Sequence, residues 1–273
     1  MYGFGYTGII SSMKKVGGAV PASLLLDTYT GSAAAYSLRK LSTSYSGNCI
    51  RVRRSSDNTE QNIGFVSDTL DTASLLTFVG ANNGFVVTWY DQSGNANNAT
   101  QSTALYQPNI VTSGNVNLLN SKPTIKVSAN YMIQTSGVNA SSAFFVANYT
   151  SLNLLNYLSE KHGIGGSLAG INGAFITDYT NSISGTTETT STKLLSCLSL
   201  TSGNTSRLFV NNLAEGTSTL LNNSTTQEIF GRSANLGNLS NTGNVSEIVY
   251  YNSNQYTNFT GINTNINTFY SIY

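Results

Sequence analysis

The sequence predicts an all-β sandwich of two antiparallel sheets with a few short helices. Two observations carry that reading. Short runs rich in Val, Ile, Phe, Tyr and Thr recur along the chain, bounded by Asn-Gly, Ser-Gly and Asn-Asn turns, the pattern of a sandwich or barrel rather than of βαβ units. The runs are Gly84 to Tyr90, Pro123 to Val127, Ala143 to Tyr149, Ala174 to Tyr179, Lys193 to Leu200, Arg207 to Val210, Gln227 to Phe230 and Val245 to Tyr251. In addition, 273 residues suffice to bury a core, and an all-β chain of that length can be one domain.

Helices are predicted in three places. Ser32 can cap a three-turn helix through Ala33, Ala34, Ala35, Leu38 and Leu41 to Tyr45, ending before Gly47. Asp71 caps LDTASLLTFVG, which stops at Gly80. Near the end, Phe259, Ile262, Ile266 and Phe269 share one helical face, which should lie across the sandwich.

Charged residues make up only 9% of the chain and its net charge is +1. No global field therefore draws it toward nucleic acid or an anionic membrane. No run reaches the roughly 18 apolar residues of a membrane span, and the N-terminus lacks the basic and apolar regions of a secretory signal. Cys49 and Cys197 sit in apolar contexts and read as two buried thiols, although a pairing between them is open.

Residues 1–30 differ from the rest. Glycines break up Tyr2, Phe4, Tyr6, Ile9 and Ile10, and neither the helix nor the strand period holds for long. The segment reads as an arm, 1–30, preceding a sandwich domain, 31–273. Those five residues are its expected anchor on neighbouring subunits.

Ala35 to Gln101 carries AYSLRKLSTSYSGNCIRVRRSSDN, LDTASLLTFVG and GFVVTWYDQSGNANNATQ. These motifs resemble the catalytic-domain fold of fungal α-L-arabinofuranosidase B and related modules on bacteriophage particles. The resemblance implies a concanavalin A-like jelly-roll sandwich. A second pattern, RLFVNN, EIFGRSAN, GNVSEIVYYNSN and the final helix, is similar to the close of laminin-G-like and concanavalin A-like domains.

The resemblance also bears on activity. Retaining glycosidases need two carboxyl groups about 5 Å apart. In the family the acid lies in a Gly-Gly-Asp-Asn loop after a late strand. The matching loop here is Gly231 to Asn235, with Ala234 at the acid's position. The region of the nucleophile, Gly163 to Tyr179, offers only Asp178. Other catalytic patterns are thin: His162 follows Glu160 and Lys161 in a glycine-rich loop with no nucleophile elbow nearby, and GIGGSLAG lacks the Lys-Ser/Thr of a P-loop and reads as a turn.

Two further clusters remain. Asp91, Asn95 and Asn97 could offer oxygens to calcium, but one formal charge favours a self-bonded turn. Arg51, Arg53 and Arg54 beside Asp57 read as ion-paired within the domain, with Asp91 as one expected partner, or as a site for an acidic glycan. An aromatic platform with adjacent amides suits a sugar, and Trp89, Tyr90, Asp91, Asn95 and Asn97 are the carbohydrate-binding candidates.

With the acid position read as lost, the expectation is a non-enzymatic, structural protein on the surface of a phage virion, a head decoration, head fibre or tail fibre. It would be oligomeric, held to other virion proteins through its arm, with host surface glycan as ligand and no cofactor. The alternative is an arabinofuranosidase-like glycoside hydrolase acting on host or capsular polysaccharide.

Overall fold

A computed structural model of the chain describes residues 23–149, 155–158, 162–168, 171–177, 182–186, 191–198, 205–219, 226–230 and 242–273. The expected anchors Tyr2, Phe4, Tyr6, Ile9 and Ile10 lie outside them, as do Ala234 and Asp178. The fold is the predicted one, a mostly β jelly-roll sandwich with, among the described residues, three α-helices: α1 (Leu25–Thr28), α2 (Thr72–Val79) and α3 (Phe259–Tyr270).

Among the described residues a 15-stranded sheet runs from Leu213–Ser218 at one edge to Thr226–Ile229 at the other. It forks at its longest strand, Thr242–Tyr251. Ile125–Ser128 pairs with residues 242–245 of that strand and Ser32–Ser37 with residues 247–251, while Ser142–Tyr149 follows its other edge. Leu155–Tyr157, His162–Leu168, Ile171–Thr177 and Ser182–Ser184 form a separate four-stranded sheet.

The apolar runs of the central strands are continuous because both of their faces are covered. Phe145, Ile248 and Tyr250 point into a core shared with Val52, Val86, Trp89 and Val127. Their neighbours Phe144, Val146, Val249 and Tyr251 point the other way, against Leu25, Leu26, Phe259, Ile262 and Ile266. A strand buried on both faces loses the usual polar alternation. The terminal helix lies across the sandwich as expected, except that Tyr270 occupies the fourth buried position and Phe269 is only half-buried. Residues 25 and 26 of the expected arm belong to this same core.

Asp71 caps α2 as expected, accepting from the Ser74 amide at 2.9 Å and from its hydroxyl at 2.6 Å. These bonds hold its carboxyl below the usual carboxylate range. Gly80, at φ 60°, ends the helix, a conformation that costs glycine nothing.

The helix expected over Ser32 to Tyr45 is replaced by a strand, Ser32–Ser37. Its alanines suit a helix by propensity, but tertiary pairing with residues 247–251 wins, and the small side chains let both faces of the strand pack closely. Ala34 enters one core layer and Ala35 the other. His162 also differs, opening a strand rather than lying in a loop, and most of GIGGSLAG is that strand. Cys49 and Cys197 are buried free thiols; burial raises both pKa values, which makes them poor nucleophiles.

At the fork, Arg39 and Glu247 form a buried two-point ion pair, Nε–Oε2 at 2.7 Å and Nη2–Oε1 at 2.9 Å. Burial opposes the guanidinium's charge, and the Glu247 carboxylate more than offsets it. Ser37 and Tyr270 hydroxyls donate to the same carboxylate, so strand, fork and α3 meet at one charge. Replacing Arg39 with Met strands a buried carboxylate and should cost about 3–5 kcal/mol in urea unfolding. Ile262→Ala, which opens a cavity beneath α3, should cost about 2–5 kcal/mol in the same measurement.

Candidate functional site

The segment Trp89 to Asn97 is where the sequence concentrates its candidates, and the structure gives most of them internal duties. Asp91, 3% exposed, accepts four hydrogen bonds: Oδ1 from the Ala35 and Ser93 amides, Oδ2 from the Ser93 hydroxyl and the Asn97 amide. Gln92 accepts from the Leu41 amide through Oε1 and donates through Nε2 to the Ser37 and Arg39 carbonyls. Together they satisfy backbone groups of residues 35–41 that no neighbouring strand reaches. Buried backbone groups require partners, and here two side chains supply them.

Asn95 donates to the Ser32 and Ala33 carbonyls, and the Asn97 carbonyl oxygen Oδ1 accepts from the Ser136 amide. The turn is therefore self-bonded, with the side-chain oxygens of Asp91 and Asn97 engaged. Among the described residues no group of three or more His, Cys, Asp or Glu is placed to hold a metal. Tyr90 is half-buried and donates to Asn62. Trp89 is wholly buried, stacked on Phe230 with ring centroids 5.6 Å apart and tilted against Tyr36 at 5.8 Å. As a sugar platform it has no exposed face. The phase of its strand explains this. A bulge at Val87 separates Thr88 and Phe85, which face outward with Arg51 and Arg53, from Trp89 and Val86, which face inward with Ile50 and Val52.

The inner face holds one feature that the sequence does not reveal. Trp89 pairs with Ala99, and Ala99 with Gln134 on Met132–Val138. Directly opposed residues share a sheet face, so the indole and the Gln134 amide flank a small alanine. Gln134 is 1% exposed, and neither its Oε1 nor its Nε2 has a hydrogen-bond partner; the Trp89 Nε1 also lacks one. Phe230, hydrogen-bonded through its amide to the Leu158 carbonyl, borders this row. A buried amide donor and acceptor beside an indole N–H form a set that suits a hydroxyl-bearing molecule.

The described carboxylates have structural partners. Asp27 caps Thr43, Asp57 pairs with Arg54, Glu60 with Arg51, Asp71 caps α2, Asp91 holds the turn, Glu215 accepts from Thr186 and Glu247 binds Arg39. Arg54 and Thr59 together hold Asp57 well below the usual carboxylate range. Within the arginine cluster, Arg51 and Arg54 are ion-paired inside the domain, through Glu60 and Asp57 and not Asp91, while Arg53 meets only neutral oxygens. Only Asp68, exposed at a groove rim, is without such a bond among the described side chains.

Comparison with known proteins bears on the fold. A sequence model described as "Alpha-L-arabinofuranosidase B, catalytic" matches residues 21–151. No curated protein sequence matches the chain. Among solved structures, a GH54 α-L-arabinofuranosidase soaked with a cyclic sulfate inhibitor superposes with a TM-score of 0.67 at 17% identity, covering 89% of this chain and 64% of that one. An arabinofuranosidase complexed with arabinofuranosyl-α-1,2-xylobiose gives 0.64 at 17% identity over the same shares. A glutamate-to-glutamine mutant of the GH54 enzyme, soaked with 4-nitrophenyl α-L-arabinofuranoside, gives 0.65 at 19% identity. The chain spans about 64% of the length of these enzymes. Its fold is that of their β-sandwich.

These matches correct two expectations. A non-catalytic virion protein, whether decoration or fibre, is overturned: the family model and the superposed structures are all arabinofuranosidases, and none is a phage module. The inference that the chain is no enzyme, drawn from Ala234 at the acid's position and only Asp178 in the nucleophile region, falls with it.

Two substitutions test the site's construction. Asp91→Ala removes four hydrogen bonds at a buried carboxyl and should cost at least about 3 kcal/mol. Gln134→Met, similar in shape but without polar atoms, should leave the thermal midpoint unchanged or raise it, because an unpaired buried amide is itself a cost.

Proposed function

We propose that the chain is the catalytic sandwich of a glycoside hydrolase that releases α-L-arabinofuranosyl groups from a polysaccharide. The observation that carries this reading is the coincidence of two independent matches: the family model over residues 21–151 and the superposition on arabinofuranosidases over 89% of the chain.

The chemistry requires two carboxyl groups flanking the sugar, about 5–5.5 Å apart for retention and about 6.5–9.5 Å for inversion. Twelve acidic residues are available. Seven are engaged structurally, which leaves Glu160, Asp178, Glu188 and Glu228 as the candidates besides the rim residue Asp68. Glu228 lies on Thr226–Ile229, three positions before the Gly231 to Asn235 loop in which the family carries its acid. We assign the acid's role to Glu228 in compensation for Ala234, and the second carboxylate to one of the other three.

The test is hydrolysis of 4-nitrophenyl α-L-arabinofuranoside by the purified chain, with Glu160→Gln, Asp178→Asn, Glu188→Gln and Glu228→Gln made singly. The reading expects turnover, and a loss of about 100-fold or more in kcat for Glu228→Gln and for one other variant. A folded chain that releases nitrophenol from no arabinofuranoside would overturn it.

A further inference from the structure

The outer face of the sheet carries a row that the hydrolase reading does not use. Arg53 pairs with Phe85, Phe85 with Asn109, and Asn109 with Lys126, so four consecutive strands present these side chains in line. Strands lie about 4.8 Å apart, which sets Arg53 and Lys126 about 14 Å apart at the backbone. The face is opposite to that of Trp89 and Gln134. A pocket of about 340 Å³ opens here, lined by Phe85, Leu105, Gln107, Asn109, Lys126 and Asn130 among others.

Charge accounting makes the row unusual. Arg51 and Arg54 are neutralised by Glu60 and Asp57, each at 2.6 Å. Arg53, between them in sequence, meets only neutral oxygens, Gln107 Oε1 and Asn58 Oδ1, both at 2.7 Å. Its guanidinium lies over the Phe85 ring at 4.9 Å, leaving Nη2 without a hydrogen bond. Lys126 is exposed and has neither an ion pair nor a hydrogen bond among the described residues.

The amides of the pocket complete the asymmetry. The side-chain oxygens of Asn83, Gln107, Asn109 and Asn130 each accept a hydrogen bond from within the domain. Of the lining side chains, the Lys126 ammonium, the Asn83 amide N–H and the Ser128 hydroxyl are left free to donate, and Arg53 Nη2 lies one strand beyond the lining. The apolar surface beside them, Phe85 and Leu105, the latter 79% exposed, suits the C–H face of a sugar ring.

We propose that this pocket binds a uronate residue of an acidic polysaccharide. The sugar ring rests on Phe85 and Leu105, and its carboxylate lies between Lys126 and Arg53. Paired cations favour a carboxylate over neutral hydroxyls because a charge-assisted hydrogen bond is about twice as strong as a neutral one. The site would hold the chain on a charged polymer without taking part in bond cleavage.

The test is affinity electrophoresis of the full chain in gels containing polygalacturonate, neutral arabinan or polyglutamate, at low and high salt. Polygalacturonate should retard the chain and polyglutamate should do so far less. Lys126→Gln, which removes a side chain with no internal partner and so spares the fold, should weaken the retardation about tenfold in apparent affinity, and Lys126→Arg should restore it. The proposal is overturned if polygalacturonate causes no retardation, if Lys126→Gln binds as tightly as the parent, or if polyglutamate binds equally well, which would mean a bare cationic patch. Because the readout is binding, its outcome is separate from that of arabinofuranoside hydrolysis.

Discussion

The constraint on which this fold rests is that residues 35–41, threaded between two core layers, must have their backbone groups satisfied without a full neighbouring strand on that side. Asp91 and Gln92 meet it. Asp91 accepts from the Ala35 amide, the Gln92 amide donates to the Ala35 carbonyl, and the Gln92 side chain reaches Ser37, Arg39 and Leu41. A buried backbone group left alone costs as much as a lost hydrogen bond or more. Asp-Gln at this place is thus a clamp, which accounts for its presence in a motif that marks the fold.

The clamp positions the rest. With residues 35–37 held, Arg39 is delivered to Glu247 on the longest strand, and that buried pair fixes where α3 can lie. The same turn sets Asn97 against the Tyr36 hydroxyl and the Ser136 amide, tying Ser32–Ser37 to Met132–Val138. The bulge at Val87 then decides which side chains of Gly84–Trp89 face inward. One consequence is that Trp89 and Gln134 meet across Ala99 on the inner face; the other is that Arg53, Phe85 and Lys126 line up outside. Both candidate sites descend from one strand phase.

Much of this was legible in the sequence. The capped helix from Asp71 to Gly80, the apolar face of the final helix and the Val/Phe/Tyr-rich strands announced themselves by period and turn chemistry. The motif around Trp89 to Asn97 led to the right fold but did not show the internal bonds of Asp91, Asn95 and Asn97, because a sequence shows oxygen-bearing side chains and not which backbone groups they already hold. The alanine run from Ser32 read as helix, since local propensity cannot see a strand partner more than 200 residues away. Gln134 gave no signal at all: its interest lies in being buried without a partner, which only packing reveals. Lys126 likewise matters only through the register that sets it in line with Arg53.

The central claim is that this sandwich retains the chemistry of the arabinofuranosidases it superposes on. The most direct measurement is intact-mass spectrometry of the chain after incubation with an arabinofuranose-configured cyclic sulfate, an electrophile that a nucleophilic carboxylate opens. The account predicts a single covalent adduct, mapped by peptide sequencing to a carboxylate among Glu160, Asp178 and Glu188. An unmodified chain, or an adduct on a carboxylate assigned here to the fold such as Asp91 or Glu247, would contradict it.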